Sequence, residues 1–143
     1  MMLEFFSLLL MFSTTATDKC GVTFSDGWAP QAPPVATMWA GYGTLRNGSD
    51  HAVTLTGASS PDFAMAQLHE TREENGVEHM RRIDSLVLPA GGEVRLAPGG
   101  RHLMLMRPSH DLGKSAAIDI EFHFDACAAP VSAVLPIRRD QDK

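Results

Sequence analysis

Two imidazoles and two thioethers stand at a spacing that can do metal chemistry. His69 is followed by ten residues and Met80, and Met80 by twenty-one residues and the triplet His102-Leu103-Met104. Thioether sulfur binds hard cations poorly and is a weak ligand for zinc, whereas it matches Cu(I), for which imidazole is also a good donor. If RHLMLMR is a strand, His102, Met104 and Met106 point to one face and Leu103 and Leu105 to the other, so that one face can bind while the other packs. The set His69, Met80, His102 and Met104 is therefore a candidate Cu(I) site.

The flanking segments read as strands throughout. VTFSDGWA (22–29) suits a first strand with Val22, Phe24, Asp26 and Trp28 on one side, and APQAPP then breaks the ladder because proline lacks the N–H donor. VATMWAGYGTLRN runs to an Asn47-Gly48 turn signal, with HAVTLTGASS as the expected hairpin partner. AMAQLHETR (64–72) and GVEHMRRI (76–83) read as a hairpin across EENG, which would bring His69 towards Met80. Two Gly-rich turns bracket EVRLA, the second leading into HLMLM. AAIDIEFHFDA places Ile118, Ile120, Phe122 and Phe124 inside, and VSAVLPIRR supplies a last strand. No capped amphipathic helix is present, and short strands at roughly ten-residue spacing imply an all-β fold, a single antiparallel sandwich.

A chain of 143 residues has a one-domain length. Its net charge of −5, with scattered Lys and Arg, argues against a nucleic-acid surface. FFSLLLMF (5–12) is too short to span a bilayer and is followed by STTAT, as in a secretory signal, although MMLE offers Glu4 and no basic residue. Residues 1–19 are accordingly read as a signal peptide and lead-in, 20–143 as the domain, and the product as exported with no membrane span after processing. DKC ahead of Gly21 lacks the small apolar residues expected before a lipid-modified cysteine, which favours a soluble product. Cys20 and Cys127 are the two cysteines of the chain. In an exported protein they are compatible with one disulfide, the alternative being two separate thiols.

Other residues of the same types weigh less. His123 lies with Asp119, Glu121 and Asp125 opposite the phenylalanines, and His51 and His110 follow turns or sit in loops, so all three read as surface. His79 adjoins Met80 and would face away from it on a regular strand, unless a bulge reverses it. Methionine commonly fills β-sandwich cores, and Met38 and Met65 are assigned there; Met106 is ambiguous because it shares the face of His102 and Met104. HETRE lacks the second histidine of a zinc-protease helix, GYGTLR has Arg46 where a dinucleotide loop needs glycine, and no GxSxG elbow occurs. No catalytic residue is assigned, and the chain is not read as an enzyme.

The four-position spacing resembles that of the PCu(A)C family of periplasmic copper chaperones: His, ten residues, Met, twenty-one residues, His-x-Met. The likeness runs from about Val22 to Ile137 through GYGTLRN, SSPDFA, LHET, LPAGGEVRLAPGGRHLMLM and VSAVLPI. Glu70 stands where some members place an additional Met. The resemblance implies a cupredoxin-like Greek key and His69, Met80, His102 and Met104 as the ligands of one Cu(I). It also implies a periplasmic chaperone that hands copper to an acceptor, the CuA centre of cytochrome c oxidase, sometimes alongside Sco-type proteins. Copper storage or resistance makes the same site expectation, and a β-sandwich module that docks a non-metal partner is the rival.

Overall fold

The computed structural model describes residues 20–139, and the expected signal segment lies outside them. Ten strands follow in chain order: β1 Val22–Pro30, β2 Met38–Asn47, β3 Val53–Ser59, β4 Phe63–Glu74, β5 Val77–Ile83, β6 Leu86–Leu88, β7 Glu93–Leu96, β8 Arg101–Pro108, β9 Ala117–Phe124 and β10 Val131–Arg138. No helix occurs among the described residues. The all-β expectation and the absence of helix are thus borne out.

The strands pair in the order β5-β4-β8-β2-β1-β10-β9-β3-β6, with β7 added to β2. An additional pairing of Ala58 in β3 with Ala66 in β4 joins the two arms, so the sheet closes into a barrel-like β fold. Period-two alternation explains the core. Ile118, Ile120, Phe122 and Phe124 of β9, Ala133, Leu135 and Ile137 of β10, and Leu103 and Leu105 of β8 are buried together, while Asp119 and Glu121 face solvent.

Three expectations need correction. The pairing is not purely antiparallel, because the end of β1 runs parallel to β10 at Ala29↔Ile137 and Pro30↔Arg138. A bulge between Ser25 and Trp28, with Asp26 at φ 55°, lets β1 leave β2 and reach β10. The same bulge moves the inward position from Trp28 to Ala29, which is fully buried; Trp28 instead packs against Tyr42 and under the Arg138 guanidinium. Finally, β3 does not form a hairpin with β2. It pairs with β9, β6 and β4, because residues 48–52 carry the chain across the barrel and Asn47 turns its side chain inward.

Cys20 and Cys127 form a disulfide, with Cα atoms 5.2 Å apart across a sequence separation of 107. It joins the start of β1 to the β9–β10 connection.

Candidate metal site

The site lies on the outer face of β8 and the strands beside it. Leu103 and Leu105 point into the core and have no exposure. His102, Met104 and Met106 therefore point outward, as alternation requires. The turn before β8 is closed by Gly100 N–H donating to Ala97 O and Ala97 N–H donating to Arg101 O, with Gly99 in the left-handed region that favours glycine. The Gly100 carbonyl left by that turn accepts from Thr71 N–H at 3.1 Å and from His102 Nδ1 at 3.2 Å. Because a carbonyl can only accept, Nδ1 of His102 carries the proton and Nε2 keeps a lone pair for a metal.

His69 lies directly opposite His102 in the antiparallel β4–β8 ladder, with ring centroids 5.9 Å apart and planes inclined by 41°. Its Nε2 is 3.1 Å from Gln67 Oε1, an acceptor, which leaves the lone pair on Nδ1. That Nδ1 is buried and has no hydrogen-bond partner among the described residues. A buried polar atom without a partner costs on the order of 1–3 kcal/mol, and a bound cation would satisfy it. A metal–imidazole bond of about 2 Å beyond a ring radius of about 1 Å places two rings across one ion at centroids up to about 6 Å apart, and the observed pair is at that limit. His69 is held below the ordinary histidine pKa, first by burial and then by His102 and Arg82, which favours the neutral form, the one able to ligate a metal.

Met104 follows His102 on the same face, opposite Gln67 and half-buried. Met80 shares the face as well, since it pairs with Thr71 on the other side of β4, where His69 is opposite Arg82. The hairpin that carries it turns at Asn75 and Gly76, both at positive φ (54° and 78°), as a two-residue Asn-Gly turn demands. Met80 is a strand further out, however, and 57% exposed. On a flat sheet, two strand spacings of about 4.8 Å and four residues of about 3.4 Å would separate the Met80 and Met104 Cα atoms by roughly 17 Å. For Met80 to share one ion with Met104, sheet coiling or movement of Met80 would have to close that distance. The structure thus gathers His69, His102 and Met104 and leaves Met80 at the open edge.

The remaining candidates fall away from this face. His79 pairs with Arg72 on the opposite pleat and is exposed. Glu70 faces the same way as His79 and bridges Arg72 at 3.5 Å and Arg81 at 3.4 Å. Desolvation raises its pKa, but Arg72, Arg101 and Arg81 together hold it below the usual carboxylate value. His110 Nε2 is hydrogen-bonded to Asp62 Oδ1 at 2.7 Å, His51 lies beside Asp50, and His123 contacts Ser59 Oγ. Gln67, which sets the His69 tautomer, and Gly100, which sets that of His102, were invisible to spacing; the only sequence signals were Gln67 two residues before His69 and the Gly-rich turn before β8.

The family model described as "Putative lipoprotein LpqE-like" matches residues 22–137. The Lxx21020 protein of Leifsonia xyli subsp. xyli (strain CTCB07) is 35% identical over 114 residues, covering 78% of this chain and 68% of its own length. Among solved structures, the copper-bound PCuAC domain from PmoF2 superimposes with a TM-score of 0.67 at 24% identity, over 83% of this chain and 93% of that domain. The solution structure of CuI-DR1885 from Deinococcus radiodurans gives a TM-score of 0.62 at 25% identity, over 80% of this chain and 76% of that one.

Proposed function

The chain belongs to the LpqE-like, PCuAC-type family, and on that premise we propose that it is an exported copper chaperone which carries one Cu(I) as cargo on His69, Met80, His102 and Met104. The observation that carries this reading is the opposed His69–His102 pair with its buried, unpartnered Nδ1, at the spacing of a four-ligand motif. The likeness to CuI-DR1885, a Cu(I) form, supports the oxidation state. The barrel-like sheet is read as a variant of the cupredoxin-like Greek-key sandwich.

The donor set suits a carrier rather than a catalyst. Thioethers cannot be lost to disulfide formation in an oxidising compartment, and as neutral ligands they hold Cu(I) less tightly than thiolates do. Transfer to a thiolate-bearing acceptor can then run downhill by ligand exchange. Met80, outermost and exposed, is the ligand an incoming donor displaces first, while His69 and His102, fixed by Gln67 and Gly100, keep the ion oriented until the exchange is complete. The proposed acceptor is the CuA centre of cytochrome c oxidase or a Sco-type protein on the way to it. The family description names lipoproteins; the pairing of Cys20 with Cys127 supports the reading in which Cys20 serves the disulfide rather than a lipid. The proposed location is the periplasm, in soluble form; no helix among the described residues is long and apolar enough to cross a membrane.

Anaerobic titration of the purified domain against a chromophoric Cu(I) competitor tests the reading. One tightly held Cu(I) per chain, undisturbed by excess zinc, is expected. Absence of a tight equivalent would return the domain to the class of non-metal binding modules.

A further inference from the structure

Met106, which lies outside the four-ligand motif, has a methionine directly opposite it on each side. Met38 of β2 is its partner in the β2–β8 ladder and Met65 of β4 its partner in the β4–β8 ladder. Directly opposed residues have Cβ atoms about 5 Å apart on the same face of the sheet, so three thioethers form one row across three strands. The row adjoins Met104, two residues along β8, on the outer face that also carries His102 and His69.

Core filling does not explain the row. Met38 is 57% exposed and Met65 36% exposed, whereas the packed side of these strands is supplied by Trp39, Leu103 and Leu105. The sequence-based assignment of Met38 and Met65 to the core is thereby corrected. The Met65 sulfur presents a lone pair outward, since it accepts from the exposed Arg107 guanidinium at 3.1 Å. Nearby fixed cations would oppose a metal, but this one is a solvated arm whose surface interaction is weak enough to be displaced.

We propose that Met38, Met65 and Met106 form a second, all-thioether site for a soft monovalent cation, Cu(I), beside the His/Met site. Three flexible, polarisable sulfurs on one exposed face supply a trigonal soft donor set. Lacking imidazole, the site is expected to bind more weakly than the first. It rests on register and exposure alone and stands whether or not the four-ligand site is right.

The test is anaerobic Cu(I) titration followed by NMR of protein labelled at the methionine methyl carbons. In the wild-type chain the Met38, Met65 and Met106 methyls are expected to shift together at a second, weaker equivalent. M38L/M65L/M106L is expected to lose that equivalent and keep the first. H69A/H102A is expected to lose the first and keep the response of the three methyls. If those methyls stay unmoved through several equivalents of Cu(I) in the wild-type chain, the second site does not exist. Unmoved Met80 and Met104 methyls would instead count against the four-ligand reading, and the two failures are read from different resonances.

Discussion

Replacing Asn47 tests how the barrel holds the strand end that Asn-Gly punctuation had marked as a simple turn. Asn47 has no exposure. Its Nδ2 donates towards the carbonyls of His51 (2.8 Å), Leu88 (3.0 Å) and Pro89 (3.2 Å), and its Oδ1 accepts from Ser49 N–H (3.0 Å) and Ser49 Oγ (2.6 Å). The side chain thereby ties the end of β2 to the end of β6 and to the loop that carries the chain into β3. In Asn47→Ala the buried bond to Leu88 O, a residue also paired with Val53 in the β3–β6 ladder, is lost at about 1 kcal/mol, and the four part-buried bonds to His51, Pro89 and Ser49 add roughly another 2 kcal/mol. The expected loss is about 3 kcal/mol, or a fall in Tm of roughly 12 °C for a domain of this size. Asn47→Asp is more informative, because it keeps the volume and the acceptor for Ser49 but aims a carboxylate oxygen at three carbonyls. It should cost at least as much as alanine. Urea unfolding followed by circular dichroism, with an unchanged m-value, measures both. A loss under about 1 kcal/mol for alanine, or an aspartate variant as stable as wild type, would refute the hub.

The remaining predictions concern the disulfide and the charges around the site. With a separation of 107, the chain-entropy model assigns the Cys20–Cys127 bond about 4.8 kcal/mol, so C20S/C127S should lose about 2–5 kcal/mol in the same unfolding assay, and wild-type stability in that variant would contradict a structural bond. Protons should compete with Cu(I) for the imidazoles, so affinity falls between about pH 7.5 and pH 5, and an unchanged affinity in a competition assay would argue against His ligation. Because the folded pKa of His69 is depressed, the metal-free protein carries no penalty from it above the unfolded value. It loses stability as pH falls from about 6.5 towards the folded pKa, which denaturation at stepped pH would show. Arg82, opposite His69, is paired to Asp84 at 3.2 Å and so sets only a partly offset positive charge near the ion. Arg82→Gln should tighten Cu(I) binding by less than about threefold, the gain that a full charge at about 6 Å in water, with roughly 0.7 kcal/mol of repulsion, would give at low salt. The gain should vanish at high salt; weakened binding would show that Arg82 supports the site instead.

Much of the fold was legible because alternation is local. Ile118 to Phe124 and Leu103 with Leu105 read directly as inward rows, and EENG read as a hairpin because Asn75 and Gly76 tolerate positive φ. The partner of β3 was not legible, since adjacency in sequence favours β2 while the choice of β9 is made by long-range packing. The bulge holds Asp26-Gly27, but its positive φ falls on Asp26 and the alternation of Val22, Phe24, Asp26 and Trp28 runs through it, so the strand was read straight across. Asn47 did leave a trace: Trp39, Gly41, Gly43, Leu45 and Asn47 share one period-two face, which places the amide inward, but the Asn-Gly turn signal outweighed it. At the site, spacing found the imidazole pair because His69 and His102 fall in register. It could not show Met80 at the exposed edge or the methionine row, both of which depend on which strands neighbour β8 and in what register.

The most direct measurement is Cu(I) affinity in Met80→Leu/Met104→Leu, with circular dichroism and thermal unfolding to confirm the fold. Leucine keeps the approximate volume, and Met80 is exposed, so the change in stability should stay below about 1.5 kcal/mol. With two imidazoles left, the tight equivalent of Cu(I) should be lost in the competitor titration. A folded double variant that holds Cu(I) as tightly as wild type would show that neither sulfur ligates and that the four-ligand site is wrong.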